Sequence, residues 1–233
     1  MKVTVWNENL HEKLEERVTQ LYPGGLHAYI AGFLQDDQVQ VRTATLDDAE
    51  CGLTEEVLAY TDVLVWWGHM AHDKVPEEVV DRVQRHVLSG MGLVVLHSGH
   101  HSKIFRRMLG TSCNLKWRDG ARERLWTVKP NHPIAKGVPE TFVLDCEEMY
   151  GEPFDIAEPQ ETVFMGWFNG WEVFRSGCTW VQGNGKIFYF QPGHETNKGF
   201  QNVYVQQIIR NAVHWACPLK RVELVCPHVE ALE

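Results

Sequence analysis

The chain has 233 residues, of which 44% are hydrophobic and 23% are charged, so a largely disordered protein is excluded. Its length suffices for one domain over residues 1–233, with a main body at about 2–217 and a tail at 218–233. The formal net charge of −9 disfavours nucleic acid and anionic membranes as partners, because binding phosphate requires a basic face. A neutral small molecule is the more natural partner.

The N-terminus and the cysteines indicate a cytoplasmic protein. MKVTVWNENLHEK lacks the apolar core of a signal peptide, and no segment reaches the roughly 18 uninterrupted apolar residues of a membrane span. Six cysteines are scattered without a C-x-x-C pair, so neither a disulfide framework nor a structural zinc site is indicated. We expect free thiols.

The first half of the chain alternates strand and helix patterns. KVTVW, VQVRT, DVLVWW and GLVVLH are apolar strand candidates, and GLHAYIAGFL has helical spacing. Thr54 is expected to cap a short helix, Pro76 to open a longer one that stops at Gly90, and Gly110 to end a helix at about 102–109. This alternation predicts a parallel sheet with helices on both faces.

The second half contains short strand patterns that we expect to extend or decorate this sheet. They are RLWTV, FVLD, TVFMGW, EVFRS, CTWVQ and KIFYF. Gln182, Gly183, Asn184 and Gly185 predict a hairpin turn, in which Asn184 and Gly185 are expected to take positive φ. QNVYVQQIIRNAVHWA predicts a closing amphipathic helix that ends before Pro218. The expected fold is therefore α/β, with a mostly parallel sheet and added antiparallel strands.

Half of the twelve histidines follow apolar strands, at the edge where the carboxyl ends of parallel strands meet and ligands usually bind. These six are His69, His72, His97, His100, His101 and His194. Asn7, Glu8 and Glu195 fall at the same predicted edge. The other histidines are interpreted as surface or packing residues, among them His11, His86, His132, His214 and His228.

The stretch LVVLHSGHHSKIF, residues 93–105, has the strand-turn-helix context of a nucleophile elbow. A hydrolase elbow reads G-x-S-x-G, but with Ser98 as nucleophile the glycine positions hold Leu96 and His100. When Gly99 is aligned with the second glycine of the G-x-C-x-G elbow of class I glutamine amidotransferases, His97 stands at the cysteine. The sequence keeps the frame of an elbow without its nucleophile, which disfavours a glutaminase.

Two chemistries remain open for the histidines. Imidazole and carboxylate groups bind zinc, manganese or iron, and His69, His194 and Glu195 form the expected ligand set, although no fixed-spacing signature such as HExxH is present. Alternatively, His97, His194 and Glu148 exchange protons with a substrate, since histidine titrates near neutral pH. No nucleotide cofactor is indicated.

Five further residues are candidates for substrate binding, namely His27, Trp67, Ser98, His100 and Arg175. His27 lies at the start of a helix that would point at the same crevice. A tryptophan beside polar groups would suit a sugar, whose C–H face stacks on an aromatic ring, although core packing is the alternative for Trp67. Arg175 is a candidate ligand clamp, with a surface salt bridge as the alternative.

Several blocks of the sequence resemble the ThuA-like family, named for trehalose utilisation. They are YPGGLH, WWGHMAHDKV, HSGHHSKIF, GTSCNLKWRDGARERLW, EEMYGEPFDI, EVFRSGCTW and GKIFYFQPGHET, from about Tyr22 to Ala216. The resemblance implies a three-layer flavodoxin-like fold, similar to class I glutamine amidotransferases but without their cysteine. It also implies a role in disaccharide catabolism through keto-sugar intermediates. The family's motif residues fall on His27, His69, His97, His100, Glu148 and His194.

The sequence therefore predicts an enzyme of carbohydrate metabolism that binds a sugar or keto-sugar. Isomerisation through an enediol, by His and Glu acid-base chemistry with or without a divalent ion, fits the residues better than acyl transfer. A non-catalytic sugar-binding or sensing module is the alternative, and a hydrolase using Ser98 is a third hypothesis. Self-association into a homo-oligomer is compatible with the sequence.

Overall fold

The structure, a computed structural model, describes residues 1–222 and 225–233. Its framework is a nine-stranded sheet with the spatial order β2-β1-β3-β4-β9-β8-β7-β5-β6. The strands are β1 (Lys2–Asn7), β2 (Gln40–Thr45), β3 (Val63–Trp67), β4 (Gly92–Leu96), β5 (Lys116–Thr127), β6 (Thr141–Gly151), β7 (Glu161–Phe168), β8 (Val173–Gln182) and β9 (Gly185–Phe190). The first five strands in this order are parallel, and the remaining pairings are antiparallel.

Helices cover both faces of the sheet. They are α1 (His11–Leu14), α2 (Glu16–Leu21), α3 (Leu26–Leu34), α4 (Glu55–Tyr60), α5 (Glu77–Leu88), α6 (Lys103–Leu109) and α7 (Val203–Ala216). Residues of α3 and α7 belong to one buried cluster, whereas residues of α4, α5 and α6 belong to the other. The predicted α/β fold with a parallel sheet and added antiparallel strands is confirmed.

The central strands show why this arrangement forms. Every residue of β3 and β4 is buried, as expected for strands covered on both faces. Since successive side chains of a strand point to opposite faces, Val63 and Val65 join the α3 and α7 side, and Leu64 and Trp66 join the other. Each hydrophobic core is thus continuous across the sheet.

The helix boundaries follow the predicted caps closely. The Thr54 side chain accepts a hydrogen bond from the Val57 N–H at the start of α4, and Ser102 caps α6 in the same way. Gly110 ends α6 in the left-handed conformation that favours glycine. Pro76 is the N-cap of α5 rather than its first helical residue.

Three features of the second half differ from the predictions. The patterns EVFRS and CTWVQ form one strand, β8, and β5 begins at Lys116 rather than near Arg122. The turn between β8 and β9 consists of Gly183 and Asn184, and Gly183 has a φ of 58°. The predicted hairpin turn over 182–185 is confirmed, but the expected positive φ at Asn184 and Gly185 is wrong, because Gln182 pairs with Gly185 and the two turn residues are Gly183 and Asn184.

Residues 223 and 224 of the predicted tail lie outside the described residues, and the rest of residues 218–233 has neither helix nor strand. Within the described ranges, none of the helices is both long and apolar enough to cross a bilayer. All six cysteines are free thiols.

The register of the parallel strands aligns their carboxyl ends. Asn7 pairs with Trp67, Trp67 with Leu96, and Leu96 with Phe190. The residues that follow these four strands therefore meet at one edge of the sheet. This edge carries the candidate functional site.

Candidate functional site

His97 occupies the sharp turn after β4. Its φ is 50°, in the left-handed region, and its side chain is fully buried. Nδ1 lies 2.7 Å from the Gln191 carbonyl oxygen, and Nε2 lies 3.0 Å from Oε2 of Glu148. Because a carbonyl oxygen can only accept, Nδ1 donates to Gln191, and Nε2 is hydrogen-bonded to the carboxyl group of Glu148.

Glu148 is the member of this pair that reaches the pocket. Burial by itself would raise the pKa of Glu148, but the hydrogen bond to His97 and the positive charge on that ring outweigh it and lower the pKa. Glu148 therefore presents a carboxylate. The Tyr150 hydroxyl lies 3.3 Å from His97 Nε2, and the two rings are stacked.

His69, which follows β3, is held by Glu195. Its Nδ1 lies 2.8 Å from Oε1 of Glu195, a residue without solvent exposure. Burial opposes protonation of His69, but the hydrogen bond to Glu195 and its charge raise the pKa of His69 overall. Hydrogen bonds from His11 and His69 overcome the effect of burial on the Glu195 carboxyl and hold its pKa far below the ordinary value. The second ring nitrogen of His69 is left for the pocket.

His194, which follows β9, is a neutral imidazole near neutral pH. Burial, followed by the charge of His97, lowers the pKa of His194 to about 4. Nδ1 accepts a hydrogen bond from the Thr196 N–H over 3.2 Å, and the Thr196 hydroxyl lies 2.9 Å away. With Nδ1 accepting, Nε2 carries the ring proton and is a hydrogen-bond donor.

His100 and His72 form a second, neutral group of imidazoles. Burial lowers the pKa of each to about 3. His100 Nδ1 donates to the Cys113 carbonyl over 2.8 Å, which leaves its Nε2 as an acceptor. His101 is exposed and contacts the Asn114 side chain. These residues can recognise hydroxyl groups without adding charge.

Most of the side chains described above line one pocket of about 450 Å³, hereafter the histidine pocket, whereas His97 and Glu195 are fully buried behind it. It is lined by His69, His72, Ser98, His100, His101, Asn114, Leu115, Trp117, Asp119, Glu148, Tyr150 and His194. A larger cavity of about 630 Å³ lies beside it but contains no histidine. The candidate site is therefore the smaller pocket, where the titratable groups with altered pKa values converge.

Buried carboxylates fix the loops that carry these histidines. Glu8 accepts hydrogen bonds from the backbone N–H groups of Met70 and Ala71 over 2.8 and 3.0 Å, and thereby holds the loop after His69. Glu147 accepts from the N–H groups of Gly193 and His194. Burial raises the pKa of Glu147 to about 7. These residues support the pocket from behind.

The contacts of Ser98 do not support the hypothesis that it is a nucleophile. Ser98 lines the pocket, but its Oγ has no hydrogen-bond partner within the described residues. The nearby His100 uses Nδ1 on the Cys113 carbonyl. A serine nucleophile requires a base within hydrogen-bond reach, so the Ser98 hydrolase is disfavoured.

Three predicted binding residues lie away from the histidine pocket. Trp67 is fully buried, and its indole N–H donates to the Gly193 carbonyl, so it offers no ring face to a ligand. Arg175 forms a two-pronged ion pair with Glu152 instead of clamping a ligand. His27 is the second residue of α3, contacts the Asn7 side chain and does not line the pocket. For Trp67 and Arg175 the structure shows the alternatives named above, core packing and a salt bridge.

Three other residues join the site without having been predicted. His11 contacts Glu195 and lies beside His69, with ring centroids 5.0 Å apart. Trp117 is 64% exposed and lies on the pocket wall, where Tyr150 also lines it. His11 follows β1 by only four residues, which is the signal that could have placed it at this edge.

Within residues 1–222 and 225–233, two groups of side chains could hold a metal ion. In His69, Glu148 and His194, and again in His11, His69 and Glu195, the ligand atoms lie within 4.8 Å of one another. The predicted set of His69, His194 and Glu195 is not one of these groups. Glu195 lies behind His69, and Glu148 takes its place beside His194.

Comparison with known proteins identifies the family. The family model described as "ThuA: Trehalose utilisation" matches residues 2–216. The chain belongs to the ThuA family. No curated protein matches the chain significantly. The ThuA resemblance of the motif blocks is thereby confirmed.

Solved structures of other proteins share the fold. A putative ThuA-like protein from Parabacteroides merdae is 17% identical with a TM-score of 0.67, covering 97% of this chain and 92% of that one. A cytoplasmic protein from Salmonella typhimurium is 14% identical with a TM-score of 0.63, and the match covers 93% of this chain and 100% of that one. The PurLQS structure from Thermotoga maritima is 11% identical with a TM-score of 0.53, and the match covers 92% of this chain and 98% of that one. These neighbours support the flavodoxin-like and glutamine amidotransferase-like fold.

Proposed function

We propose that this ThuA-family protein is a cytoplasmic enzyme of disaccharide catabolism that moves protons at the carbons next to the carbonyl of a keto-sugar. The observation that carries the proposal is the convergence of three groups on one pocket. These groups are the His97-supported carboxylate of Glu148, the neutral imidazole of His194 and the Glu195-held imidazole of His69. Acid and base groups in one concave site are what such chemistry requires.

The roles follow from the hydrogen bonds. Glu148 is the base that removes a proton from the carbon beside the carbonyl, because its carboxylate faces the pocket while His97 stabilises it from behind. His194 donates its Nε2 proton in a hydrogen bond to the carbonyl oxygen, where negative charge develops. A neutral imidazole is suited to this task because it leaves the carboxylate base ionised.

His69 supplies the proton that completes the enediol. Its raised pKa keeps a proton available near neutral pH, and Glu195 fixes the ring. His69 protonates the carbonyl oxygen while Glu148 takes the carbon-bound proton. Glu148 then returns that proton to the neighbouring carbon, and the adjacent hydroxyl gives its proton back to His69. The carbonyl has moved by one carbon, and the protein is unchanged.

The recognised ligand is a neutral sugar. The pocket lining combines hydroxyl, amide and imidazole groups with Trp117, an exposed aromatic surface on which a sugar ring can stack. The net charge of −9 opposes nucleic acid and anionic membranes as partners. The free cysteines are consistent with a reducing compartment.

A divalent ion at the same site is a second candidate, because one specific observation favours it. The ligand atoms of His69, Glu148 and His194 lie close together, and the carboxylate of Glu195 on His69 Nδ1 is the usual outer partner of a metal-binding histidine. His194 can offer Nε2 to an ion only in its other tautomer, in which Nδ1 gives up the hydrogen bond from the Thr196 N–H and donates to the Thr196 hydroxyl instead. A bound ion would polarise the substrate carbonyl as a Lewis acid.

Hydrogen exchange at the sugar carbons tests the proposal. Chemically prepared 3-keto derivatives of glucose and trehalose are incubated with the protein in D₂O and followed by proton NMR. We expect loss of the carbon-bound signals beside the carbonyl, and no such loss with Glu148→Gln. Binding without exchange would overturn the enzyme and favour the sugar-binding module. Elemental analysis of the protein before and after chelation tests the divalent ion.

A further inference from the structure

We propose that a second sugar subsite lies next to the histidine pocket, past Cys146, so that the substrate is a disaccharide bound across both. The subsite is hereafter the outer subsite and corresponds to the cavity of about 630 Å³. Its lining residues are Arg17, Gln20, Leu21, Val143, Leu144, Asp145, Cys146, Glu147, Thr196, Asn197, Lys198, Gly199, Gln201 and Asn202. The identity of the reacting ring rests on the proposed function, whereas the position of the second ring does not.

A small cavity of about 220 Å³ connects the two sites. It shares Asp119, Glu148 and His194 with the histidine pocket. It shares Arg17, Cys146, Thr196 and Asn197 with the outer subsite. The catalytic carboxylate and the outer subsite thus open onto the same passage, and a ring that reacts at Glu148 can carry a substituent through it.

The volumes indicate a ligand longer than one sugar ring. Pockets of about 300–1,000 Å³ hold ligands of ordinary drug size, which are larger than a single hexose. The histidine pocket alone, at about 450 Å³, is sufficient for one ring. The additional outer volume has no role for a monosaccharide but accommodates the second ring of a disaccharide.

The lining of the outer subsite suits a neutral sugar ring. Gln20, Asn202 and the Arg17 guanidinium supply hydrogen-bonding groups, and Leu21 and Val143 provide apolar surface for the C–H face of a ring. Hydrogen-bonding side chains beside apolar surface are typical of small-molecule sites. The histidines lie in the histidine pocket, and Glu147 of the outer subsite is fully buried and held by the N–H groups of Gly193 and His194, so the outer ring is bound and not transformed.

Two backbone segments border both the histidine pocket and the passage. The Asn197 N–H donates to the His194 carbonyl over 3.0 Å, and the Tyr22 hydroxyl donates to the Asn197 carbonyl. On the opposite side, β5 has an irregular register between Arg118 and Ala121. Asp119, inside this irregularity, lines both the histidine pocket and the passage. The passage is therefore bounded by the turn at 194–197 on one side and by β5 on the other.

Cys146 permits a direct test because it is exposed and lines the passage. Cys146→Trp fills the passage, whereas Cys146→Ser preserves its size. We expect Cys146→Trp to weaken binding of 3-keto-trehalose at least about tenfold while binding of 3-keto-glucose stays within about twofold, measured by calorimetry. Cys146→Ser is the matched control. Equal effects of Cys146→Trp on both sugars, or none on either, would overturn the subsite.

Thiol protection in the unmodified protein provides a second measurement that does not depend on how the tryptophan variant folds. Cys146 and Cys226 are the exposed cysteines, so N-ethylmaleimide should modify both, with Cys226 as an internal reference. We expect 3-keto-trehalose to slow modification of Cys146 only, and 3-keto-glucose to leave both rates unchanged. Absence of protection by the 3-keto derivatives of trehalose, maltose and cellobiose alike would overturn the subsite.

These readouts separate the subsite from the proposed function. Neither calorimetry nor thiol protection requires proton transfer, whereas the proposed function is tested by hydrogen exchange. Protection of Cys146 without exchange would retain the subsite and overturn the enzyme. Exchange without protection of Cys146 would retain the enzyme and overturn the subsite.

Discussion

Nδ1 of His69 lies 2.8 Å from Oε1 of Glu195, and the two residues follow different parallel strands, β3 and β9. The carboxylate is fully buried, while the imidazole is partly open to the histidine pocket. This pairing fixes the ring and directs its second nitrogen toward a ligand. The Glu195 carboxylate is therefore a positioning group for the proton carrier.

Replacement of Glu195 by glutamine tests this relationship. In Glu195→Gln the amide can still accept from His69, but the negative charge is lost. We expect the hydrogen-exchange rate on 3-keto-glucose to fall roughly 10- to 100-fold, the usual cost of removing such an orienting carboxylate. The exposed Glu140 offers a matched control, Glu140→Gln, which should leave the rate unchanged. Full exchange in Glu195→Gln would contradict the role of the pair.

Gly99 allows the elbow after β4 to pack against that strand. A Cβ at this position would lie 2.9 Å from Val95 Cγ1, so Gly99→Ala requires a shift in a fully buried region. We expect a loss of about 1–3 kcal/mol in the free energy of unfolding, measured by urea denaturation. The control is Gly32→Ala in α3, where nothing lies within 4 Å and the change should stabilise the helix. Equal stability of the two variants would show that the elbow tolerates a side chain.

Glu123 introduces a pH dependence of stability. Burial, followed by the charge of Glu147, raises the pKa of Glu123 well above its ordinary value of 4.5. The folded protein therefore holds this proton at pH values where the unfolded chain has released it. Stability contributed by this group falls as pH rises above 4.5 toward the folded pKa.

Glu123→Gln removes that contribution while keeping an oxygen near the Ser176 hydroxyl. Denaturation of both proteins between about pH 5 and pH 8 measures the difference. We expect the free energy of unfolding of the variant to decline less over this range. If the free energy of unfolding declines as much in the variant as in the wild type, other groups, such as Glu147, cause the effect.

Arg175 and Glu152 form a structural ion pair outside the pocket. Two guanidinium nitrogens contact the two carboxylate oxygens at 2.8 and 2.9 Å, and a further bond reaches the Phe154 carbonyl. Since the pair is only partly buried, we expect Arg175→Ala to cost about 1 kcal/mol of stability. Calorimetric affinity for 3-keto-glucose should remain unchanged. A selective loss of sugar binding would restore Arg175 as a ligand clamp.

The strand ends and their histidines could be predicted because the pattern of buried parallel strands fixes which residues meet at one edge. His69, His97 and His194 were located in this way. The position of Trp117 could not be predicted, because it depends on the length of β5. The first half of β5 is too polar to indicate a strand. Arg175 was misplaced because sequence spacing does not show that Glu152 lies within reach of its guanidinium.

The role of Glu195 also depended on tertiary structure. A carboxylate beside His194 in sequence suggests a ligand to the same ion, but the chain turns so that Glu195 contacts His11 and His69. Glu148, which is distant in sequence, lies in the pocket where Glu195 was expected, and its hydrogen bond to His97 holds it there. Adjacent residues at a turn point in different directions, which spacing alone does not reveal.

The most direct test of the central claim is the rate of carbon-bound hydrogen exchange on 3-keto-glucose in D₂O, compared between the wild-type protein and Glu148→Gln. The claim that Glu148 is the base predicts exchange with the wild type and a rate lower by about 10²–10⁴-fold in the variant, with sugar binding retained. Equal exchange rates in both proteins, or no exchange by a wild-type protein that binds the sugar, would contradict it.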